Sequence, residues 1–381
     1  MFTPRLEIHA AKIFYNAKKL LQRCQTQNID IMAVTKVVQG EPYIASILVD
    51  AGIKWLGDSR IDNIKKIRKT GVKAKFALIR APLTHQLAET VQYTDLSFNS
   101  ELFTIRKLSQ HAKQQDKIHN VVLMVDLGDR REGVLPQDAV KIVKEILTLP
   151  NICLSGIATN LSCLNGVEPD EDKMHVLSQL VEEIEQTFNI HLDIVSGGNS
   201  ANIEWLLARE SAEEDRVNQL RLGGAILLGR EALTDTPIPG FYYDTVTLVA
   251  EVIECKMKPA LPEGNICQNN FGYRVTPQET GLISRVVLGL GLQDVSVKDL
   301  IPIDNDIEIL GATSDHTVLH VKSNRLHVGD EVHFHVDYGA LLAAMTSPYV
   351  EKHFTEGNYN IPFSSYKISD EVFDKNLLQI T

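Results

Sequence analysis

The apolar runs of the chain predict a (β/α)8, TIM-like barrel followed by a mostly antiparallel β-domain. Three observations carry that α/β fold class. Eight short strand-like runs alternate with helix-period segments between residues 29 and 222. The helical period disappears after Gly229-Arg230-Glu231. Beyond that point, alternating β-type runs are bounded by Gly, Pro and Asn-Asp turns, a pattern of antiparallel strands with one face buried. A barrel over residues 1–231 and a β-domain over residues 232–381 are therefore expected.

A short strand at 6–8 and a helix through Ala17, Leu20 and Leu21 precede the regular part. The first barrel run is apolar or β-branched at Ile29, Ile31, Met32, Ala33, Val34 and Thr35, and it ends on Lys36 before Gly40 and Pro42 break it. Further runs end at Asp58, Arg80, Phe98, Asp126, Thr159, Val195 and Leu222. Helix-period segments at 61–69, 101–114, 137–147, 173–188 and 201–209 lie between them. Strand and helix alternating this often imply parallel strands with helical crossovers. Eight such units suit a closed barrel, whose functional groups sit on the loops after the strand C-termini. An open doubly wound sheet is the structural alternative, but no GxGxxG fingerprint follows the first strand. The β-type runs of the second part are 245–253, 283–288, 307–310, 318–321 and 331–336.

At 381 residues the chain exceeds one ordinary compact domain. Its net charge of −11, with Lys and Arg scattered and no basic block, argues against nucleic acid or an anionic membrane as partner and leaves small molecules. Cys24, Cys153, Cys163, Cys255 and Cys267 are odd in number, widely spaced and without a CxxC pair. That fits a reduced, cytoplasmic protein and provides no zinc spacing. The first residues contain no apolar signal core, and no apolar run reaches membrane-spanning length, so a soluble and unexported protein is expected.

A strand that ends on a lysine is an unusual place for a charge. Burial lowers the proton affinity of an amine, and an unprotonated amine is what Schiff-base chemistry with an aldehyde cofactor needs. A lysine that merely snorkels out of the strand end is the alternative. Ser196-Gly-Gly-Asn-Ser200 follows the seventh run and opens a helix, and Arg221-Leu-Gly-Gly-Ala225 follows the eighth. Gly-rich turns at the last two strand ends of such a barrel can hold a phosphate through backbone N–H groups and a serine hydroxyl, helped by helix N-terminal charge. Each alone reads equally as an ordinary tight turn. Together, opposite a strand-end lysine, they point to pyridoxal 5'-phosphate.

Lys36, Asn199-Ser200, Arg221-Leu-Gly-Gly and Tyr338, placed in the last β-segment, resemble the set found in alanine-racemase-type (fold type III) pyridoxal-phosphate enzymes. Val34-Thr-Lys-Val, Gly57-Asp-Ser-Arg60, Met124-Val-Asp-Leu-Gly-Asp-Arg-Arg-Glu-Gly133, Gly156-Ile-Ala-Thr-Asn-Leu-Ser-Cys163 and Thr313-Ser-Asp-His316 are similar to the ornithine racemase branch. The resemblance covers both parts of the chain. It implies an isomerase that interconverts L and D amino acids, with ornithine or another basic amino acid as first choice and alanine or a broader range as the alternative. It further implies that Lys36 binds the cofactor covalently and, once freed by substrate, moves the α-proton on one face. Arg221 would face the pyridine nitrogen, where a permanent cation keeps that nitrogen unprotonated. Asn199, Ser200, Gly223, Gly224 and Tyr338 would hold the cofactor and its phosphate. Arg131 and Asn160 would meet the substrate, Arg131 through its carboxylate, with a solvated turn charge as the alternative reading of Arg131. A head-to-tail homodimer is implied as well. Asp58, Asp129 and Glu132 lie near strand ends, where one carboxylate could receive a distal ammonium; surface solvation or a rim ion pair is the plainer reading.

The departures from that family are specific. Gly40 stands where alanine racemases carry a tyrosine after the lysine, although Tyr43 is near, and Met124 replaces a modified lysine that supports the carboxylate arginine. Leu290, in Gly289-Leu-Gly-Leu, takes the place of the tyrosine that serves as second base across the dimer, and a leucine cannot move a proton. His316, oriented by Asp315, is the first candidate to replace it; Cys163 is the second, and Lys36 serving both faces or a structural Asp-His pair stay open. Rival readings are a decarboxylase or lyase of the same fold, a non-catalytic pyridoxal-phosphate carrier, and a metal-dependent member using Asp315 and His316 with His320.

Overall fold

The computed structural model describes residues 2–209, 215–267, 281–323 and 325–355. The chain opens with β1 (Arg5–Ile8) and α1 (Ala10–Gln25). Four strand–helix units follow: β2 (Asp30–Val34) with α2 (Pro42–Asp50), β3 (Trp55–Asp58) with α3 (Ile61–Lys69), β4 (Lys75–Leu78) with α4 (Leu87–Tyr93), and β5 (Leu96–Asn99) with α5 (Leu102–Gln114). Four more complete the set: β6 (His119–Val125) with α6 (Pro136–Ile146), β7 (Ile152–Thr159) with α7 (Glu171–Phe188), β8 (Ile194–Ser196) with α8 (Ile203–Ala208), and β9 (Gln219–Leu222) with α9 (Gly224–Leu228).

Strands β2 to β9 form a closed barrel, all parallel, with β2 closing on β9 through Met32 opposite Arg221 and Ala33 opposite Leu222. The strands are buried on both faces, which is why β2 reads as an unbroken apolar run from Ile31 to Val34. Met32, Ala77, Leu96, Phe98, Val122, Met124 and Ala158 fill the interior. Burying a side chain such as Met32 or Phe98 contributes about 1.5–3 kcal/mol. The helices bury one stripe each, as at Ile61, Ile64 and Ile67 of α3 or Ile105, Leu108 and Ala112 of α5.

The remaining elements are β10 (Val246–Pro259), β11 (Leu282–Leu288), β12 (Leu300–Pro302), β13 (Ile307–Ala312), β14 (Thr317–Val321), β15 (Glu331–Val336), α10 (Tyr338–Thr346) and β16 (Glu351–Phe354). Their sheet runs β12-β15-β10-β11-β14-β13, antiparallel throughout, with β1 added antiparallel to β10 and parallel to β16. In β15, Val332, Phe334 and Val336 are buried while Glu331 is exposed, the alternation that marks a strand with one wet face. Arg5 of β1 is buried and forks onto both carboxylate oxygens of Glu331 at 2.7 and 2.8 Å.

Three expectations are corrected here. The chain divides into compact units at 245/246 rather than 231/232, and the residues up to Ile8 join Val246–Thr355. The opening strand is tied to that unit because its backbone pairs with β10, more than 230 residues away in sequence, and no local pattern reports such pairing. Tyr338 begins a helix instead of lying in a β-segment: the Asp337 carboxylate accepts from the N–H groups of Gly339 and Ala340 and starts α10. The part of the expected second domain beyond Thr355 lies outside the described residues. No helix among the described residues is long and apolar enough to cross a membrane.

Candidate active site

Lys36 opens a short 3-10 turn, Lys36–Val38, directly after β2. The neighbouring Thr35 is locked down: its N–H donates to Gly57 O at 3.0 Å and its hydroxyl to Asp58 Oδ2 at 2.7 Å. Lys36 itself is half-buried, and its amine makes no hydrogen bond or ion pair with another described residue. The turn then needs Gly40, which has φ +56° and sits so close to Asn63 that an added Cβ would lie 2.6 Å from the Asn63 Cβ. No tyrosine fits at that position. Tyr43 is buried in α2.

The two Gly-rich turns meet. Gly198 has φ +148°, and a Cβ there would lie 2.1 Å from the Asn202 Oδ1 that accepts the Asn199 N–H. Asn199 caps the following turn through the N–H of Ala201, and the Ser200 hydroxyl accepts from the N–H groups of Gly223 at 3.3 Å and Ala225 at 3.1 Å. The helices that follow are short, Ile203–Ala208 and Gly224–Leu228, so any anion is held there by local N–H groups and the hydroxyl rather than by a long helix. Gly223 also adjoins β2, its would-be Cβ being 3.1 Å from Val34 O. The lysine and the two turns thus share one mouth of the barrel.

Arg221 is buried in the same mouth. It donates to Ser196 Oγ at 2.5 Å, to the Thr159 carbonyl at 2.6 Å and to Asn160 Oδ1 at 3.3 Å, and its guanidinium lies 5.1 Å from the centre of the Phe98 ring. Burial lowers its pKa to about 10, which leaves it a cation at neutral pH. Asn199 Nδ2 donates to Asn160 Oδ1 at 3.1 Å, to Leu161 O at 2.8 Å and to Cys163 Sγ at 3.4 Å. The Nδ2 of Asn160 and the hydroxyl of Thr159 are buried without a hydrogen-bond partner. Such orphaned donors beside a fixed cation are costly unless a ligand meets them.

Arg131 joins this cluster but is not free. Its guanidinium forks onto the carboxylate of Glu132, and although burial opposes its charge, that carboxylate raises its pKa. Met124, the residue expected to leave Arg131 without its usual support, is part of the barrel interior, and Glu132 supplies the support instead. Glu132, Cys163 and Arg131 all act electrostatically on Arg221. Of the other carboxylates, Asp58 is 1% exposed and accepts from Thr35, from the Arg60 N–H and from Asn63; burial nevertheless raises its pKa. Asp129 is equally buried and ties down the loop after β7 through the N–H groups of Leu164 and Asn165. Both are committed to structure.

In the other compact unit, Leu290 is fully buried, as a residue without a proton to move can be. The segment that carries it lies directly against Thr313-Ser-Asp-His316. Leu292 N donates to Thr313 O at 2.9 Å, Gln293 N to Ser314 O at 3.1 Å, and Thr317 Oγ1 to Leu290 O at 2.8 Å. Gly291 permits this approach, since a Cβ there would lie 2.2 Å from Ser314 O. Asp315 and His316 are exposed in this turn; Asp315 accepts from Gln293 Nε2 and Ser314 Oγ, each at 2.6 Å. His320 sits instead on β14, opposite Arg285 and Glu308, and among the described residues no three His, Cys, Asp or Glu side chains come together to hold a metal ion. Tyr338 is 40% exposed at the start of α10.

Sequence reasoning missed Ser196 and Thr159 as the groups that hold Arg221. Thr159 acts through its backbone carbonyl, so its side chain carries no signal. A cavity of about 770 Å³ opens at the opposite end of the barrel, lined by Asp30, Lys75, Asp95, Asn120, Asp193 and Gln219. These are N-terminal strand ends, which carry no functional loops in barrels of this kind.

The alanine racemase N-terminal domain family matches residues 8–231. The ornithine racemase of Acetoanaerobium sticklandii is 38% identical over 92% of this chain and 99% of its own length, and the lysine racemase of Thermotoga maritima is 37% identical over 92% and 98%. Among solved structures, D-threonine aldolase from Filomicrobium marinum superposes with a TM-score of 0.72 at 13% identity, covering 91% of this chain and 89% of that one. Alanine racemase from Streptomyces lavendulae superposes with a TM-score of 0.71 at 16% identity, covering 94% and 99%. At such identities the two structures speak for the fold.

Proposed function

The chain belongs to the alanine racemase family, and from that premise we propose that it is a pyridoxal-phosphate-dependent racemase of basic amino acids, ornithine first. The observation that carries the reading is the buried Arg221 cation, held by Ser196, Thr159 and Asn160 at the barrel mouth that also presents Lys36 and the joined turns. Lysine is the nearest other substrate, given the second relative. A reduced, cytoplasmic homodimer is part of the proposal; the cysteines among the described residues are free.

The residues present fit the cofactor: a partnerless amine on Lys36, an orphaned amide on Asn160, and a cradle of N–H groups around Ser200. When bound, pyridoxal phosphate supplies an electron-withdrawing ring that acidifies the α C–H of an amino acid. Lys36 would hold it covalently and, once its amine is free, would take or return the α-proton of the amino acid on one face. Ser200, Gly223 and Gly224 would hold its phosphate and Asn199 would steady the turn beneath, with Tyr338 the further phosphate ligand that the resemblance implies. Arg221 would present a permanent cation to the pyridine nitrogen and disfavour its protonation, which would limit the chemistry to proton exchange. The proton on the other face is assigned to His316 with Asp315, supplied by a second copy of the chain; this turn is hydrogen-bonded to the segment of Leu290, where the resemblance expects the second base. Cys163, an exposed thiol accepting from Asn199, is the alternative.

Asn160 and the Arg131–Glu132 pair line the substrate's place. Asp58 and Asp129 are buried and committed, so Glu132, whose side chain is 34% exposed, is the carboxylate of the three that can meet a distal ammonium while it still holds Arg131. Chiral analysis of products from a panel of L-amino acids, with and without chelator, tests the whole reading. D-Ornithine or D-lysine formed well ahead of D-alanine and unaffected by chelator is expected. A decarboxylated or cleaved product, or equal turnover of alanine, overturns it.

A further inference from the structure

Arg80 follows β4 at the same mouth of the barrel. The residue before it is fixed: Ile79 N donates to Asp58 O at 3.0 Å, and the Ile79 side chain packs on the barrel interior. Arg80 is half-buried, and its Nε is buried with no hydrogen-bond partner. Burial first, and then the nearby Arg60 guanidinium, hold its pKa below the usual value; no carboxylate is among the groups acting on it. A guanidinium partly withdrawn from water, with a buried Nε–H left unbonded and no counter-charge, carries a cost. Neighbouring charges at this mouth are matched, Arg131 by Glu132 and Arg221 by Ser196 and the Thr159 carbonyl. Among the described residues, Lys36 and Arg80 are the half-buried cations there whose side chains have no partner; the nearby Arg60 side chain also has none but is exposed to water.

We propose that Arg80 takes the α-carboxylate of the amino-acid substrate while Arg131 stays with Glu132, an assignment that rests on the racemase reading above. An unpaired arginine is the side chain suited to a carboxylate, because its fork makes two charge-assisted hydrogen bonds. Cofactor phosphate is the poorer match. The phosphate-type turns follow β8 and β9, and β2 and β3 intervene between β9 and β4 in the barrel order.

The test uses the holoenzyme and its Arg80→Gln and Arg80→Lys variants. Arg80→Gln is expected to raise KM for ornithine roughly 10- to 100-fold with little change in kcat, and Arg80→Lys to recover part of that loss. Acetate, titrated against the absorbance of the bound cofactor and against Tm, reads the anion site without turnover. Saturable binding by the native enzyme and its loss in Arg80→Gln are expected, while 1,4-diaminobutane, which has no carboxylate, binds both alike. Cofactor content is unchanged, and Tm of Arg80→Gln equals or exceeds that of the native protein, since an unpaired cation has been removed. Unchanged KM and acetate binding overturn the assignment; so do a loss of cofactor, a fall in Tm, dissociation of the oligomer, or an equal loss of diamine binding. If no amino acid is racemised yet acetate binding still depends on Arg80, the racemase reading falls and the anion site stands. Racemisation indifferent to Arg80 sinks this inference alone.

Discussion

Arg221 on β9 donates to the carbonyl of Thr159 at the end of β7, reaching across β8 at 2.6 Å. Its charge is therefore held in place by backbone, and it cannot swing away when a ligand binds. Arg221→Glu removes the cation and is expected to let the cofactor's ring nitrogen protonate, raising transamination relative to racemisation. Arg221→Gln serves as the neutral comparison and should lower stability by about 1.5–3 kcal/mol through lost charge-assisted bonds. Keto acid and D-amino acid measured side by side give the ratio. An unchanged ratio in both variants removes Arg221 from this role.

The Lys36 amine makes no bond to another described residue, so its replacement should be structurally quiet. Lys36→Ala is expected to keep its Tm, to lose racemisation by roughly 10³-fold or more, and to retain only weak cofactor binding. Borohydride reduction of the native protein followed by peptide mapping should label Lys36. A label on another lysine rejects the assignment.

Glu132 is expected to set the preference for a basic side chain. Glu132→Gln should cost ornithine about 1.5–3 kcal/mol in kcat/KM and alanine almost nothing. Competition between the two substrates measures the difference. Equal losses would place Glu132 in service of Arg131 alone.

The second proton donor can be found by isotope exchange. In His316→Ala or Asp315→Asn, α-deuterium wash-in should stop for one enantiomer and continue for the other, because the Lys36 face still exchanges. Cys163→Ala is expected to exchange both. Loss in Cys163→Ala and not in His316→Ala reverses the choice.

His119 predicts an acid limit for the barrel. Burial pushes its pKa down to about 4, and its Nε2 pairs with Ser97 Oγ at 2.8 Å. Folded His119 therefore binds its proton less readily than the unfolded chain. Its contribution is fully present above the unfolded value near 6.5 and is lost as pH falls toward 4, a range worth roughly 3 kcal/mol. His119→Gln keeps a polar partner for Ser97 without titrating in that range, so its Tm should fall less steeply between pH 6.5 and 4. Parallel curves for the two proteins would exclude His119 as the source.

The barrel was legible because parallel strands are buried on both faces and so appear as apolar runs, and because α3 and α5 repeat their apolar residues every three to four positions. Lys36 was legible as a charge ending such a run, and Ser196–Ser200 as glycines at a strand end. The start of α10 was not, because Asp337 and Tyr338 follow a strand without a break and only the N–H groups bonded to Asp337 distinguish a helix cap from one more extended residue. Nor was β12, which at three residues is too short to show a period.

Periodicity alone established the barrel, the change of architecture after it and the strand ends at which chemistry is expected. Tertiary structure decided which charges at those ends are already spoken for. Asp58 is held by Thr35 from 23 residues away and Arg221 by Thr159 from 62 residues away. Arg131 is taken by its own neighbour, and Arg80 is left without a partner. A local pattern records whether a residue faces the core, because burial follows the geometry of one element. Whether a buried charge is paired depends on which strand ends the closed barrel brings together, and that is set only when the first strand meets the last.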